Sequence, residues 1–200
     1  MTQKLFPNLL SVYNEALLSV GEHNITDHDN SAFAAVFRGV AESIAKKKVM
    51  SNHWSWARKE EKLILQGQDF QEWYIYQLPS DHLKTRRIHI NEISLRDTKL
   101  LQNSVLINCP VTTEDIIIDY TYAAPVEIWS ADFHDAMRMY FEGLIRKSVL
   151  RDYREGTADM EMANRMFIEA AGRDFNSTGS RDRNDGGRPF FARFGAGRHG

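Results

Sequence analysis

Glu22, His23, Asp27, His28 and Asp29 form the densest group of metal-ligating side chains in the sequence. Imidazole and carboxylate together would suit a divalent cation, but their spacing matches neither the zinc patterns nor the calcium-binding loop. The group lies in a polar stretch between two helical patterns, so capping and solvation are the preferred roles. His53, His82, His89 and His134 are dispersed, and neither Cys109 nor any serine stands in a nucleophile motif. No glycine loop of the Walker or dinucleotide type joins a strand to a helix. No catalytic residue, cofactor or metal is therefore expected, and the chain reads as a non-enzyme.

Binding chemistry is concentrated near the C-terminus. Residues 176–200 hold six of the twelve glycines and almost no aliphatic side chains, so this segment cannot build a core of its own. Arg181, Arg183, Arg188, Arg193 and Arg198 face only two aspartates there, which places +3 on the segment and leaves −5 on the rest of a chain whose net charge is −2. Phe190, Phe191 and Phe194 are interleaved with these arginines. Aromatic anchors among cations suit docking onto a partner with acidic or carbonyl groups around apolar pockets. The alternative is a nucleic-acid contact by charge and stacking.

Two other features carry weaker versions of the same chemistry. Lys46, Lys47 and Lys48 end a helical pattern, where cations complement the helix C-terminus, and that role is preferred over a nucleic-acid patch. Trp54, Trp56, Trp73, Tyr74, Tyr76 and Trp129 could stack on bases, but the acidic body lacks the cations such binding needs, so packing is the expected use.

The elements that must position these groups follow from periodicity. From Leu5 to Val20, apolar residues recur at three- and four-residue steps, predicting a helix that stops at Gly21. A second helix is predicted from a cap at Asp29, Asn30 or Ser31. Between residues 54 and 124 the pattern changes to short segments rich in aromatic and β-branched residues: 56–65, 73–78, 86–91, 100–108 and 115–122. Gln102-Asn103-Ser104 is expected to turn a hairpin, and Ile116, Ile118, Tyr120 and Tyr122 alternate as if one strand face were buried. A third helix is predicted from Trp129 to Leu150, capped by Ser130 or Asp132. A fourth is predicted after a break at Gly156, capped by Thr157 and ending before Gly172.

This order predicts an α+β fold: a four-helix bundle-like body (residues 1–53 and 125–175), an inserted strand-rich β region (54–124), and an extended C-terminal tail (176–200). The 42% hydrophobic and 26% charged fractions suit a folded globular protein. A lone cysteine, no signal-type N-terminus and no long apolar run predict a protein made and used in water, with no membrane span.

The order and spacing of several segments resemble the tail tubular protein A family, the head-to-tail adaptors of short-tailed bacteriophages. The segments are Val12-Tyr13-Asn14-Glu15-Ala16-Leu17-Leu18-Ser19-Val20-Gly21-Glu22, Trp54-Ser55-Trp56, Tyr76-Gln77-Leu78-Pro79-Ser80-Asp81-His82-Leu83 and Trp129-Ser130-Ala131-Asp132-Phe133-His134-Asp135-Ala136. The likeness spans roughly residues 5 to 175, while the Gly/Arg-rich end and the β strands depart from it. The resemblance implies a virion protein made in the host cytoplasm. About twelve copies would form a ring between portal and tail nozzle (a tail tubular protein B-like component), with genomic DNA passing through the lumen. On that reading the arginines and phenylalanines after residue 176 dock on portal or a neighbouring subunit.

Overall fold

The chain's structure is a computed structural model that describes residues 5–68, 73–108 and 115–177. Helix α1 (Leu9–Ser19) buries Leu9, Val12, Tyr13, Ala16 and Leu17 along one stripe. It ends as predicted at Gly21, whose φ of 82° is unstrained only for glycine. Gly21 N–H donates to the Leu18 carbonyl and Glu22 N–H to the Leu17 carbonyl, so two end carbonyls are satisfied. Ser31 caps the next helix by accepting from Ala34 N–H at 3.2 Å, which contributes about 1 kcal/mol. That helix comprises α2 (Ala32–Val36), a π-helical turn (Phe37–Ala41) and α3 (Glu42–Ser51).

After the β region, Ser130 caps α4 (Ala131–Ile145), which continues as a second π turn (Arg146–Leu150). Arg151 then adopts a left-handed conformation (φ 63°), and α5 (Tyr153–Ser177) runs back along α4. Gly156 does not break this helix and Thr157 does not cap it. The cap is Asp152, whose carboxylate accepts from Glu155 N–H at 3.1 Å. Gly156 is buried inside α5 because its missing side chain lets α4 approach. The helix also passes Gly172 and includes Asn176 and Ser177, so the expected tail begins inside its last turn.

Among the described residues, eight strands form two antiparallel sheets of four. β1 (Arg58–Lys62), β8 (Ile117–Tyr122), β4 (His82–Ile90) and β5 (Ile93–Ser94) make the first sheet in that order. β2 (Ile64–Gln68), β3 (Tyr74–Gln77), β7 (Ser104–Ile107) and β6 (Thr98–Leu100) make the second. The predicted hairpin at 102–104 joins β6 and β7, with Leu100 opposite Val105. A second tight hairpin joins β4 and β5 through Asn91 and Glu92, both at positive φ (47° and 67°). Such turns favour glycine; here the Arg87 guanidinium holds Glu92 by its carbonyl and by its carboxylate at 3.0 Å.

The fold is therefore α+β, with two cores. Trp54, Trp129, Phe133, Phe141 and Phe167 centre the helical core, where Phe133 meets Trp54, Trp56 and Trp129 at ring separations of 4.9 Å. Leu63, Tyr76, Ile88, Val105, Ile107 and Ile118 fill the space between the sheets. β8 departs from the expected single buried face: Ile118, Asp119, Tyr120 and Thr121 are all buried. Ile118 and Tyr120 face the sheet core, whereas Thr121 accepts from Arg86 Nε at 3.0 Å. Arg86 also donates to the Trp54 carbonyl at 2.6 Å, and Lys84 to the Met50 carbonyl at 3.2 Å, so β4 is tied to the end of α3.

Candidate assembly interface

The second sheet exposes an unusual pair of edges. Among the described residues nothing pairs with the outer side of β2 or of β6. β2 exposes Ile64 and Leu65, at 66% and 45%, and the end of β6 exposes Leu100 and Leu101, at 55% and 54%. The first sheet contrasts with this. Its long edge, β1, is Arg-Lys-Glu-Glu-Lys and wholly exposed, a charge pattern that discourages pairing, and its other edge, β5, is two residues long. The charged edge β1 and the aliphatic edge β2 lie on one continuous segment, because Leu63 is the buried corner at which the chain leaves one sheet for the other.

A polar cluster flanks β8 on both faces of the first sheet. Asp119 receives Arg58 Nη2 at 3.0 Å and lies within reach of the Arg86 charge. Burial nevertheless pushes its carboxyl above the ordinary value, outweighing the pull of Arg58 and Arg86. On the other face, Tyr120 Oη lies 2.9 Å from Asp81 and 3.1 Å from Glu61, and Lys59 reaches Asp81 at 2.5 Å. Burial pushes the Asp81 carboxyl up, but the Lys59 and Tyr120 hydrogen bonds outweigh it and hold the carboxyl below its usual value. Burial and the two carboxylates raise the Tyr120 hydroxyl.

The helical body offers a second surface. A cleft of about 470 Å³ opens at the start of α1, floored by Phe6, Leu9, Leu10 and Phe37 and rimmed by Asp27 and Glu127. Asn14 closes one wall with a paired contact, its amide donating to the Ile25 carbonyl at 3.0 Å while its oxygen accepts from Ile25 N–H at 2.9 Å. On α5, Ile168 and Phe175 project outward at 72% and 79% exposure, about two helical turns apart.

The chemistry-bearing residues of the sequence are not drawn into one site. Arg181, Arg183, Arg188, Phe190, Phe191, Arg193, Phe194 and Arg198, and also Cys109, lie outside the described residues. Asp29 accepts from Thr26 N–H at 2.8 Å and Arg38 binds the Asp27 and Asp29 carbonyls, so this loop is organised around its own backbone. His82 contacts Thr85 and the Tyr120 ring, His134 lies 3.6 Å from Glu15, and His89 is buried in β4. Among the described residues no three such groups could hold a metal ion, and no helix is long and apolar enough to cross a membrane. Lys48 exceeds its expected role: it lies over the Tyr140 and Phe167 rings at 4.7 and 4.6 Å and donates to Asn164. The exposed aliphatic edges escaped sequence reading because exposed and buried aliphatics look alike within a short strand. No protein-family model matches the chain, and no curated protein matches it.

Proposed function

We propose that this chain is a structural, non-catalytic subunit of a head-to-tail ring, the adaptor between portal and tail nozzle in a short-tailed bacteriophage. The observation that carries the reading is the second sheet's two open edges, β2 and β6, which expose aliphatic side chains, differ from each other and run in opposite directions. When such a sheet is repeated side by side, β6 of one copy meets β2 of the next in antiparallel alignment. Repetition of one unlike contact is a heterologous association, which yields a ring when the rotation closes. The resemblance supplies about twelve copies and a lumen for genomic DNA, while the arginines and phenylalanines of residues 176–200 support a C-terminal segment that docks on portal or neighbour.

The test is a mixing experiment on Ile64→Lys and Leu100→Lys, each of which places a charge on one edge. Light scattering should show the unmodified protein assembling as concentration rises or portal is added, and each variant alone remaining monomeric. Mixed variants retain one intact junction and should stop at dimers. A Leu100→Lys protein that still dimerises alone would indicate symmetric β2 pairing and would refute the ring contact.

A further inference from the structure

We propose that in the free subunit the segment Arg188–Phe194 folds back into its own chain's cleft at the start of α1. The observations are where α5 ends, what the cleft presents, and what the segment carries. Near its C-terminus α5 is pinned to the entrance of α4: Arg173 donates to Asp132 at 2.6 Å, and Asp174 accepts from the Ser55 backbone and hydroxyl at 2.8 and 2.6 Å. Asp132 lies in the first turn of α4, and Glu127, on the cleft rim, lies in the single turn Val126–Ile128 just before it. The chain therefore leaves α5 at the end of the body where the cleft opens. Arg188 lies eleven residue steps beyond Ser177, a reach of up to roughly 36 Å, whereas the five steps from Asp132 back to Glu127 span at most roughly 18 Å.

The chemistries are complementary. The segment reads Arg-Pro-Phe-Phe-Ala-Arg-Phe, with cations flanking a phenylalanine pair. The cleft has an apolar floor of Phe6, Leu9, Leu10 and Phe37 and carboxylates at Asp27 and Glu127, and its volume is of the size that holds a compact apolar ligand. Glu127 accepts from the Asn8 amide through Oε1, and a carboxylate has acceptor capacity for a guanidinium beside that bond. A tethered segment is present at an effective concentration on the order of millimolar, so at lower protein concentrations a chain's own segment outcompetes a neighbour's. Portal or neighbour must then displace the segment before it can dock elsewhere, which restrains premature assembly.

The test uses the full chain, nuclease-treated and dilute, with Phe191 replaced by the photo-cross-linker p-benzoylphenylalanine and with heavy- and light-isotope chains mixed equally. Cross-links should be same-isotope and should fall on residues 6–14, 37 or 127. The double variant Asp27→Asn, Glu127→Gln should lower their yield at least threefold. Mixed-isotope cross-links, cross-links elsewhere on the body, no cross-links, or a yield indifferent to the double variant would each overturn the proposal. The edge-mixing result is independent of all these outcomes, so failure here and failure of the ring contact are distinguishable.

Discussion

Gly143 of α4 and Gly156 of α5 meet so closely that a Cβ built on either lies 2.6 Å from the other's carbonyl oxygen. The obstructing atoms include backbone on both sides, with Met160 N at 2.9 Å and Lys147 N at 2.8 Å, so no side-chain rotation relieves the clash. Gly143→Ala or Gly156→Ala should therefore force the helices apart and destabilise the chain by about 1–3 kcal/mol. Urea midpoints would measure this. Because both substitutions disturb one contact, the double variant should cost clearly less than the two added together.

Asn14→Ala should leave both the N–H and the carbonyl of Ile25 without their partner. Ile25 is buried, so about 1–3 kcal/mol should be lost, whereas Asn14→Asp should retain the accepting half of the contact and lose less. Thermal unfolding of the three proteins at neutral pH would check the order.

Lys48→Ala removes two ring contacts and the stem packed between α4 and α5, and should cost about 1–2 kcal/mol. Lys46 and Lys47 are exposed on the same helix, and their alanine variants should change stability by less than about 0.5 kcal/mol. Equal effects at all three positions, read from denaturant midpoints, would show that charge at the helix end governs the site.

Asp81 contributes to the acid dependence of the sheet. Its carboxyl is held below the ordinary value by the Lys59 and Tyr120 hydrogen bonds acting against burial. The stability it contributes is full above the ordinary carboxyl value, about pH 4, and is lost as pH falls through its lowered value. Asp81→Asn should weaken the protein by about 1 kcal/mol at pH 7, and the gap should close at low pH. Unfolding midpoints measured at neutral pH and again well below pH 4 would reveal whether it does.

The helices were legible because their signals are local. A 3.6-residue stripe, Ser31 and Ser130 as caps, and Gly21 as a stop all act within one turn of themselves. Gly156 misled because one residue type serves both to end a helix and to admit a neighbouring one, and only the position of Gly143 distinguishes the two. β8 misled for a similar reason: Asp119 and Thr121 read as solvent-facing polar residues, yet their partners are Arg58 and Arg86, supplied from other strands. Strand neighbours were invisible for the same cause, since Arg58 is opposite Thr121 far along the chain. The β4–β5 hairpin went unrecognised because Asn91-Glu92 lacks the glycine that usually marks such a turn, and Arg87 compensates from outside it.

Leu63 has a mechanical consequence. Since Arg58 to Gln68 forms the outer strand of one sheet and then of the other, load applied along its apolar half is passed directly to its charged half and on to β8. Arg86 and Lys84 join that central region to the helices at Trp54 and Met50. Force entering at that edge would thus travel through covalent chain and half-buried cations to the helical bundle, giving the protein the character of a strut.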